Sequence, residues 1–391
     1  MLSRVLLSIF AKSSIDITMK RILNLILFGA VAAVAAFGAD EPEKPWKHVD
    51  AQELRVINKG WHNTLGPYTR IPVTLKDSVR PDLWERSQCS SGIGIRFASN
   101  SSRIGVRYNL LWNTHLIHMA DTGLKGTDLY ILEGDSVWRH VNTNRPYIVK
   151  GREAEKLVES TYLSNADTTR MSEYMIYLPL YDGVTSIQVK VDSLADITSG
   201  RPDLIREDPK IVAYGTSILQ GGCASRTGMA PTNIIGRELN CEVVNIGISG
   251  EGKMDRCMAR EMVKIPAKIY LLDPVPNCTE MMCDTLTYDF VRIFLEQRPD
   301  AAVVMLEGPM YPYSRYDSFF QKYLPAKNAA FRRNFDRLRK DYPQAKLYYV
   351  DSEGLDGPED DGTVDGIHLT DLGFRHYADK MTPILRKILE E

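Results

Sequence analysis

Tyr214-Gly215-Thr216-Ser217-Ile218 follows the apolar run Ile211-Val212-Ala213 and leads into a segment rich in Gly, Cys and Ser. That is the pattern of a buried strand ending in a tight turn into a helix. Gly215 suits the turn, because without a Cβ it reaches backbone angles closed to other residues. A serine just beyond it stands at the carboxyl end of a strand and near a helix N-terminus, whose free N–H groups can stabilise an oxyanion. The same position also favours serine as an N-cap. Taken alone, Ser217 is either a nucleophile or a cap.

The chain downstream separates the two. Further apolar runs at Glu242 to Ile246, Ile269 to Leu272, Ala302 to Leu306 and Leu347 to Val350 alternate with helical stretches. One helix carries Phe331, Phe335, Leu338 and Tyr342 on one face, and a last one should begin at Thr370 or Asp371. This alternation predicts an α/β domain with a parallel sheet and helices on both faces, whose function lies beyond the carboxyl ends of the strands.

At those ends stand Ser217, then Asn245-Ile246-Gly247-Ile248-Ser249-Gly250-Glu251-Gly252, then Asp273-Pro274-Val275-Pro276-Asn277-Cys278, and finally Asp365-Gly366-Ile367-His368-Leu369-Thr370-Asp371. Serine is a weak nucleophile and needs a base, which imidazole supplies near neutral pH. Of the two histidines in this half, His376 falls inside the last helix, whereas His368 is in the loop before it. Asp365 could hold its ring in the useful tautomer. The backbone N–H groups of Ser217 and Gly250, with the Asn277 amide, would form an oxyanion hole. Singly, Gly250 could be only a turn residue, Asn277 a loop amide, and Asp365 a solvated acid beside Asp360 and Asp361. Their convergence on one edge favours acyl transfer. The order Gly247-x-x-Gly250-x-Gly252 follows the second strand and does not match a dinucleotide fingerprint.

Three other residues are candidates for binding substrate: Arg226, Glu307 and Tyr311. Arg226, nine residues beyond Ser217, could meet the carboxylate of an acidic sugar at the rim. The favoured reading is an internal ion pair, with Glu307 as the candidate partner.

Working outward, 391 residues suggest two domains. A net charge of −2 with scattered Lys and Arg gives no nucleic-acid groove. Met19-Lys20-Arg21, the run from Ile22 to Phe37 and Ala36-Phe37-Gly38 form a signal-peptide pattern within residues 1–38, with Met19 as a second candidate start. Export follows, to the periplasm or beyond. The apolar run is short for a membrane span, so no stable membrane anchor is expected after cleavage.

Residues 40–200 show short apolar and aromatic runs between turns, the habit of an antiparallel β-sandwich. Ser91 to Phe97 and Ile104 to Tyr108 read as a hairpin across Asn100-Ser101-Ser102, and Asp128 to Leu132 with Val137 to Arg139 as another. His115 and His118, three apart in an extended strand, would face opposite ways and share no metal. Trp112 could line a sugar-binding face, although core packing is the commoner fate of aromatics. The pattern changes at Gly200-Arg201-Pro202-Asp203, which separates residues 40–200 from a second domain at 201–391. The six cysteines match no zinc spacing and read mostly as buried thiols. Cys278 and Cys283 are the pair to consider for a disulfide that would stiffen the Asn277 loop.

With these blocks in view, residues 205 to 391 resemble an SGNH/GDSL hydrolase: Gly215-Thr216-Ser217, Gly247-Ile248-Ser249-Gly250, Pro276-Asn277 and Asp365-Gly366-Ile367-His368 stand for its four motifs. Gly126-Thr127-Asp128-Leu129-Tyr130 is similar to the GxDLY domain that precedes such hydrolases in some bacteria. The resemblance implies a flavodoxin-like three-layer α/β/α sandwich behind an N-terminal β-sandwich. It also implies a serine esterase, free of metal and cofactor, using Ser217, His368 and Asp365. Thr216 departs from the usual aspartate of the first motif, and the Gly-x-Asn-Asp motif is reduced to Pro276-Asn277-Cys278. The expected function is an exported esterase that removes short acyl groups, most simply acetyl, from carbohydrate. The alternatives are a lipid or thioester acylhydrolase and a glycan-binding protein with an inactive site.

Overall fold

The computed structural model describes residues 45–201, 204, 210–355, 357–358 and 360–391. The expected signal peptide lies outside the described residues, as do Pro202 and Asp203 of the expected boundary.

The first half is built from antiparallel strands β1 (Trp46–Asp50), β2 (Arg55–Ile57), β3 (Gly94–Ser99), β4 (Ile104–Leu110), β5 (Asp128–Glu133), β6 (Val137–Thr143), β7 (Leu157–Leu163), β8 (Ser172–Tyr177), β9 (Val184–Asp192) and β10 (Ile197–Thr198). One sheet has the order β1-β9-β4-β7 and the other β10-β3-β8-β5-β6, with β2 added beside β3. Ile95, Phe97, Val106, Tyr108, Ile176 and Val189 meet between the sheets in one buried cluster, so the expected sandwich is present. The expected hairpin from β5 to β6 forms.

The expected hairpin between β3 and β4 does not. β3 pairs with β8 and β4 with β9 and β7, so the connection crosses from one sheet to the other. The cause is Asp192, whose carboxylate accepts from the Ser102 N–H (2.9 Å), the Ser101 hydroxyl (3.0 Å) and Arg103 Nε (2.7 Å). These bonds pin Ser101-Ser102-Arg103 to the end of β9, where a hairpin would have left them in solvent.

The second half contains the parallel sheet β12-β11-β13-β14-β15, from β11 (Lys210–Gly215), β12 (Glu242–Gly247), β13 (Ile269–Asp273), β14 (Ala302–Leu306) and β15 (Leu347–Val350). Period-two alternation sorts its side chains between two cores. Ile211, Ala213, Val243, Leu271 and Val304 share one cluster, and Val212, Tyr214, Ile246, Leu272 and Met305 the other. Helices α1 (Ser217–Gln220), α2 (Pro231–Leu239), α3 (Arg256–Met262), α4 (Glu280–Gln297), α5 (Phe320–Asp341) and α6 (Asp371–Glu390) complete the α/β/α arrangement. Thr370 caps α6, its side chain accepting from the Gly373 N–H. Strand order reverses across β11, which places the chain after this strand at the switch point where α/β sheets carry ligands. No helix among the described residues is long and apolar enough to cross a membrane.

The two halves share their interior. Trp61, Ile71, Leu75 and Leu83 belong to one core of the parallel sheet, and Met119, Leu124 and Leu180 to the other. The Asp128 and Tyr130 side chains of the GxDLY sequence reach across the junction. Asp128 accepts from Arg226 Nη1 at 2.7 Å, from the Gly228 N–H at 2.8 Å and from the Thr143 hydroxyl at 2.7 Å, while the Tyr130 hydroxyl accepts from Arg226 at 2.6 Å.

At the carboxyl end of β13, Asp273 is buried with one oxygen on the Tyr377 hydroxyl at 3.2 Å and the other without a partner among the described residues. Burial pushes its pKa from 3.8 up to about 8, against a smaller lowering by Tyr377. Between these values the unfolded chain releases the proton and the folded chain keeps it, so this group disfavours folding increasingly as pH rises. The difference grows by about 1.4 kcal/mol per pH unit and levels off above the folded value. Asp273→Asn should therefore gain melting temperature over the parent progressively from about pH 5 to about pH 8. An advantage constant across that range would refute an elevated Asp273.

Candidate active site

In the turn after β11 the cap is not the serine. Thr216 is the N-cap of α1, its hydroxyl facing the Ile218 N–H at 3.4 Å. Ser217 is the first residue of the helix, and its hydroxyl meets His368 Nε2 at 2.9 Å. The residue that departs from the usual motif thus takes the capping role, leaving the Ser217 hydroxyl for other work.

His368 is held from its other side. Its Nδ1 lies 2.8 Å from Asp365 Oδ2, while Asp365 Oδ1 accepts the N–H groups of Ile367 (3.0 Å) and His368 (2.8 Å). The loop is closed by the Val364 N–H donating to the His368 carbonyl at 2.8 Å. Burial alone would raise Asp365, but the bonds from the His368 ring and the two N–H groups outweigh it and hold the carboxyl down at about 2. An ionised Asp365 accepts from Nδ1–H, so the lone pair of neutral His368 is at Nε2, facing the serine. Cys223 also stands beside His368. Burial and then the charge of Asp365 push its thiol up to about 12, so it offers no rival nucleophile at neutral pH.

The glycine-rich turn packs directly on this segment. The Ile248 N–H donates to the Gly215 carbonyl at 3.0 Å. A Cβ on Gly252 would fall 2.0 Å from that same carbonyl oxygen, so any side chain there would push the nucleophile loop out of place. Gly250 has φ +72, a left-handed conformation that favours glycine. The Asn277 amide oxygen is directed at the N–H groups of Gly250 (3.3 Å), Glu251 (3.1 Å) and Gly252 (3.2 Å), since the reverse orientation would set its NH₂ against three donors. Asn277 is thus tied to the glycine turn, with its NH₂ directed away from it. From the other half, buried Arg70 donates to the carbonyls of Cys89 (2.9 Å), Arg86 (2.9 Å) and Asn245 (3.4 Å), anchoring the end of β12.

His368, the hydrogen-bond partner of Ser217, lines a cleft of ≈ 650 Å³ together with Ser249 from the hydrolase half and Trp112, Leu116, His118 and Tyr181 from the sandwich half. Sequence reading missed the last group as site residues, except for the sugar-face alternative for Trp112. They lie on loops without periodicity, and only their aromatic and imidazole content is a signal. Fully buried Asp182 fixes their course by accepting the N–H groups of Trp112 (3.0 Å) and Thr114 (2.8 Å).

The expectation that His115 and His118 stand in an extended strand and face opposite ways is corrected. They lie on this loop and not in a strand; His115 pairs with Asp121 at 2.9 Å, and the His118 ring packs 5.5 Å from that of His368. The three candidate substrate residues are elsewhere. Arg226 is in an ion pair, as favoured, but with Asp128 in place of Glu307. Glu307 accepts from the Tyr349 hydroxyl at 2.6 Å and the Ser352 N–H at 3.3 Å. Tyr311 is buried and stacked on Tyr313. The chain distance of 98 residues to Asp128 put the true partner beyond local reading. Cys278 and Cys283 are adjacent but are free thiols, one hydrogen-bonded to the other.

Comparison with known proteins agrees with this architecture. Residues 208–386 match the model of the GDSL-like lipase/acylhydrolase family, and residues 45–197 match the GxDLY model, described as the N-terminus of Esterase_SGNH_hydro-type proteins. Among solved structures, a Bacteroides ovatus protein described as GDSL-like has 29% identity and a TM-score of 0.81, over 88% of this chain and 98% of its own. A salicylyl-acyltransferase of a tetracycline biosynthetic pathway is 15% identical with a TM-score of 0.69, over 88% and 97%. An acetyl xylan esterase from the rumen bacterium Butyrivibrio proteoclasticus is 10% identical with a TM-score of 0.54, over 88% and 99%. The last two share the fold. No protein among the curated sequences matches. With a matching model over each half, the chain is an ester hydrolase of the SGNH type, its second half belonging to the GDSL-like lipase/acylhydrolase family behind a GxDLY N-terminal domain.

Proposed function

We propose that the protein is an exported serine esterase that removes short acyl groups, most simply acetyl, from carbohydrate. The observation that carries the mechanism is the unbroken chain Ser217 Oγ, His368 Nε2, His368 Nδ1, Asp365 Oδ2, with steps of 2.9 and 2.8 Å. In this reading Ser217 Oγ attacks the ester carbonyl as His368 Nε2 takes its proton, and the imidazolium formed is stabilised by Asp365. The Ser217 N–H and the Asn277 NH₂ receive the negative charge on the carbonyl oxygen, whereas the Gly250 N–H, expected as a third donor, is engaged by the Asn277 amide oxygen and serves to orient that amide. His368 then protonates the departing alcohol, and water repeats the sequence to release the acid.

The substrate class is supported by three considerations. The likeness to an acetyl xylan esterase covers both halves of the chain. The cleft wall carries Trp112 and Tyr181, whose faces suit a sugar ring. The leader pattern at residues 1–38 points to export, where polysaccharide is encountered. Acetylated polysaccharides assayed beside short and long acyl esters test the proposal: it expects release of acetate and falling rates as the acyl chain lengthens. A preference for long chains would replace it with a lipid hydrolase.

Asn277→Ala should lower kcat by about a hundredfold or more, the usual loss for one oxyanion donor. The three N–H groups of the glycine turn would lose their shared acceptor as well. A rise in KM at unchanged kcat would make Asn277 a substrate-binding residue.

A further inference from the structure

We propose that the active site doubles as an inhibitory site for a borderline divalent cation such as Zn²⁺, formed by His118, Cys223 and His368. One ligand atom from each, two ring nitrogens and Cys223 Sγ, lie within 4.8 Å of one another. The three come from separate parts of the chain: the cleft loop of the sandwich half, the turn after α1 and the loop before α6. Sulfur and imidazole are the donors zinc prefers.

A tetrahedral zinc with bonds of about 2.0 Å to nitrogen and about 2.3 Å to sulfur sets its ligand atoms about 3.3 to 3.7 Å apart. From separations of at most 4.8 Å, the trio needs to contract by no more than about 1.5 Å. His118 can supply that movement, because it lies on a loop and is only half-buried. Cys223 is fixed, buried with φ +74 next to the tight turn at Gly221-Gly222.

The chemistry makes the ion an inhibitor and not a cofactor. Nδ1 of His368 is engaged by Asp365, so its free lone pair is the Nε2 pair that would accept the Ser217 proton. Zinc takes that pair, a neutral nitrogen of His118 and the sulfur of Cys223, and one proton leaves the Cys223 thiol for solvent. His368 can no longer act as base. The fourth position is open to water.

This inhibition rests on the Ser217–His368 mechanism proposed above, whereas binding of the metal does not, and two measurements separate them. Ester hydrolysis by the full chain is titrated with Zn²⁺ and then treated with EDTA, each variant being compared with its own metal-free rate. The expected result is reversible loss of activity in the parent, with the half-inhibiting Zn²⁺ concentration raised tenfold or more by Cys223→Ser and also raised by His118→Gln. In parallel, Ser217→Ala protein is titrated with Co²⁺, where a thiolate-to-cobalt absorption band should appear and be lost on adding Cys223→Ser. If Cys223→Ser does not fold, the band in its parent and the His118→Gln titration still decide. Absence of the thiolate band, or a Zn²⁺ response unchanged by either substitution, would overturn the site. A thiolate band without loss of hydrolysis would keep the metal site and instead count against His368 as the base.

Discussion

Replacing Ser217 with alanine should reduce ester hydrolysis by about 10⁴-fold or more while leaving the protein folded, with stability within about 1 kcal/mol of the parent. The hydroxyl contacts His368 Nε2, and the capping of α1 is supplied by Thr216, so its loss removes a reacting atom and no support of the fold. His368→Ala should be about as damaging, and Ser217→Ala/His368→Ala little worse than either alone, because nucleophile and base act as a unit. Asp365→Ala should cost less, since the ring keeps its contact with Ser217. Steady-state rates with thermal melts of the same preparations check all four. A folded Ser217→Ala protein with near-normal kcat would remove Ser217 from the mechanism, and multiplicative losses in the double variant would mean that the two residues act independently.

Arg226→Ala should destabilise the protein by about 3 kcal/mol, at the lower end of the range for breaking a buried pair. Asp128 is fully buried and would be left as an uncompensated charge, although the Gly228 N–H and Thr143 hydroxyl would remain as partners. Activities on neutral and acidic substrates should decline together as the melting temperature is approached, with no selective loss on acidic glycans. The decisive measurement is a denaturant-unfolding cycle with Asp128→Asn. Removal of the charge should recover part of the stability lost by Arg226→Ala, making the double variant better than the sum of the two. Additive losses would show that the pair contributes nothing beyond its separate members. A selective loss on acidic glycans would return Arg226 to substrate recognition.

How much could be read from residues alone depended on the range of the interactions involved. The strands β11 to β15 were legible because parallel strands are buried on both faces and appear as continuous apolar runs. Ser217, Gly250, Asn277, Asp365 and His368 were legible because each falls directly after a strand or before a capped helix, so chain position located them. Thr216 as the cap was not, since serine and threonine are both preferred there. The β3–β4 connection was misread because Asp192, some ninety residues away, decides it. Antiparallel runs joined by a polar turn look like a hairpin until that partner is known. The place of His118 beside His368 was opaque for the same reason: nothing local marks a loop that will meet the active site from the other half.

The buried carboxylate of Asp182, by holding the backbone at Trp112 and Thr114, has a kinetic meaning for the cleft. A wall already tied in place loses little conformational freedom when a ligand arrives, so less of the contact energy is consumed in ordering the loop. Association should then proceed as a single step, without a slow closing phase. Small esters, which make few contacts and could not drive a closure, would still meet a completed site. Freed from that anchor, the same loop would favour long polymeric substrates over small ones, because only extensive contact could offset the entropy of arranging it.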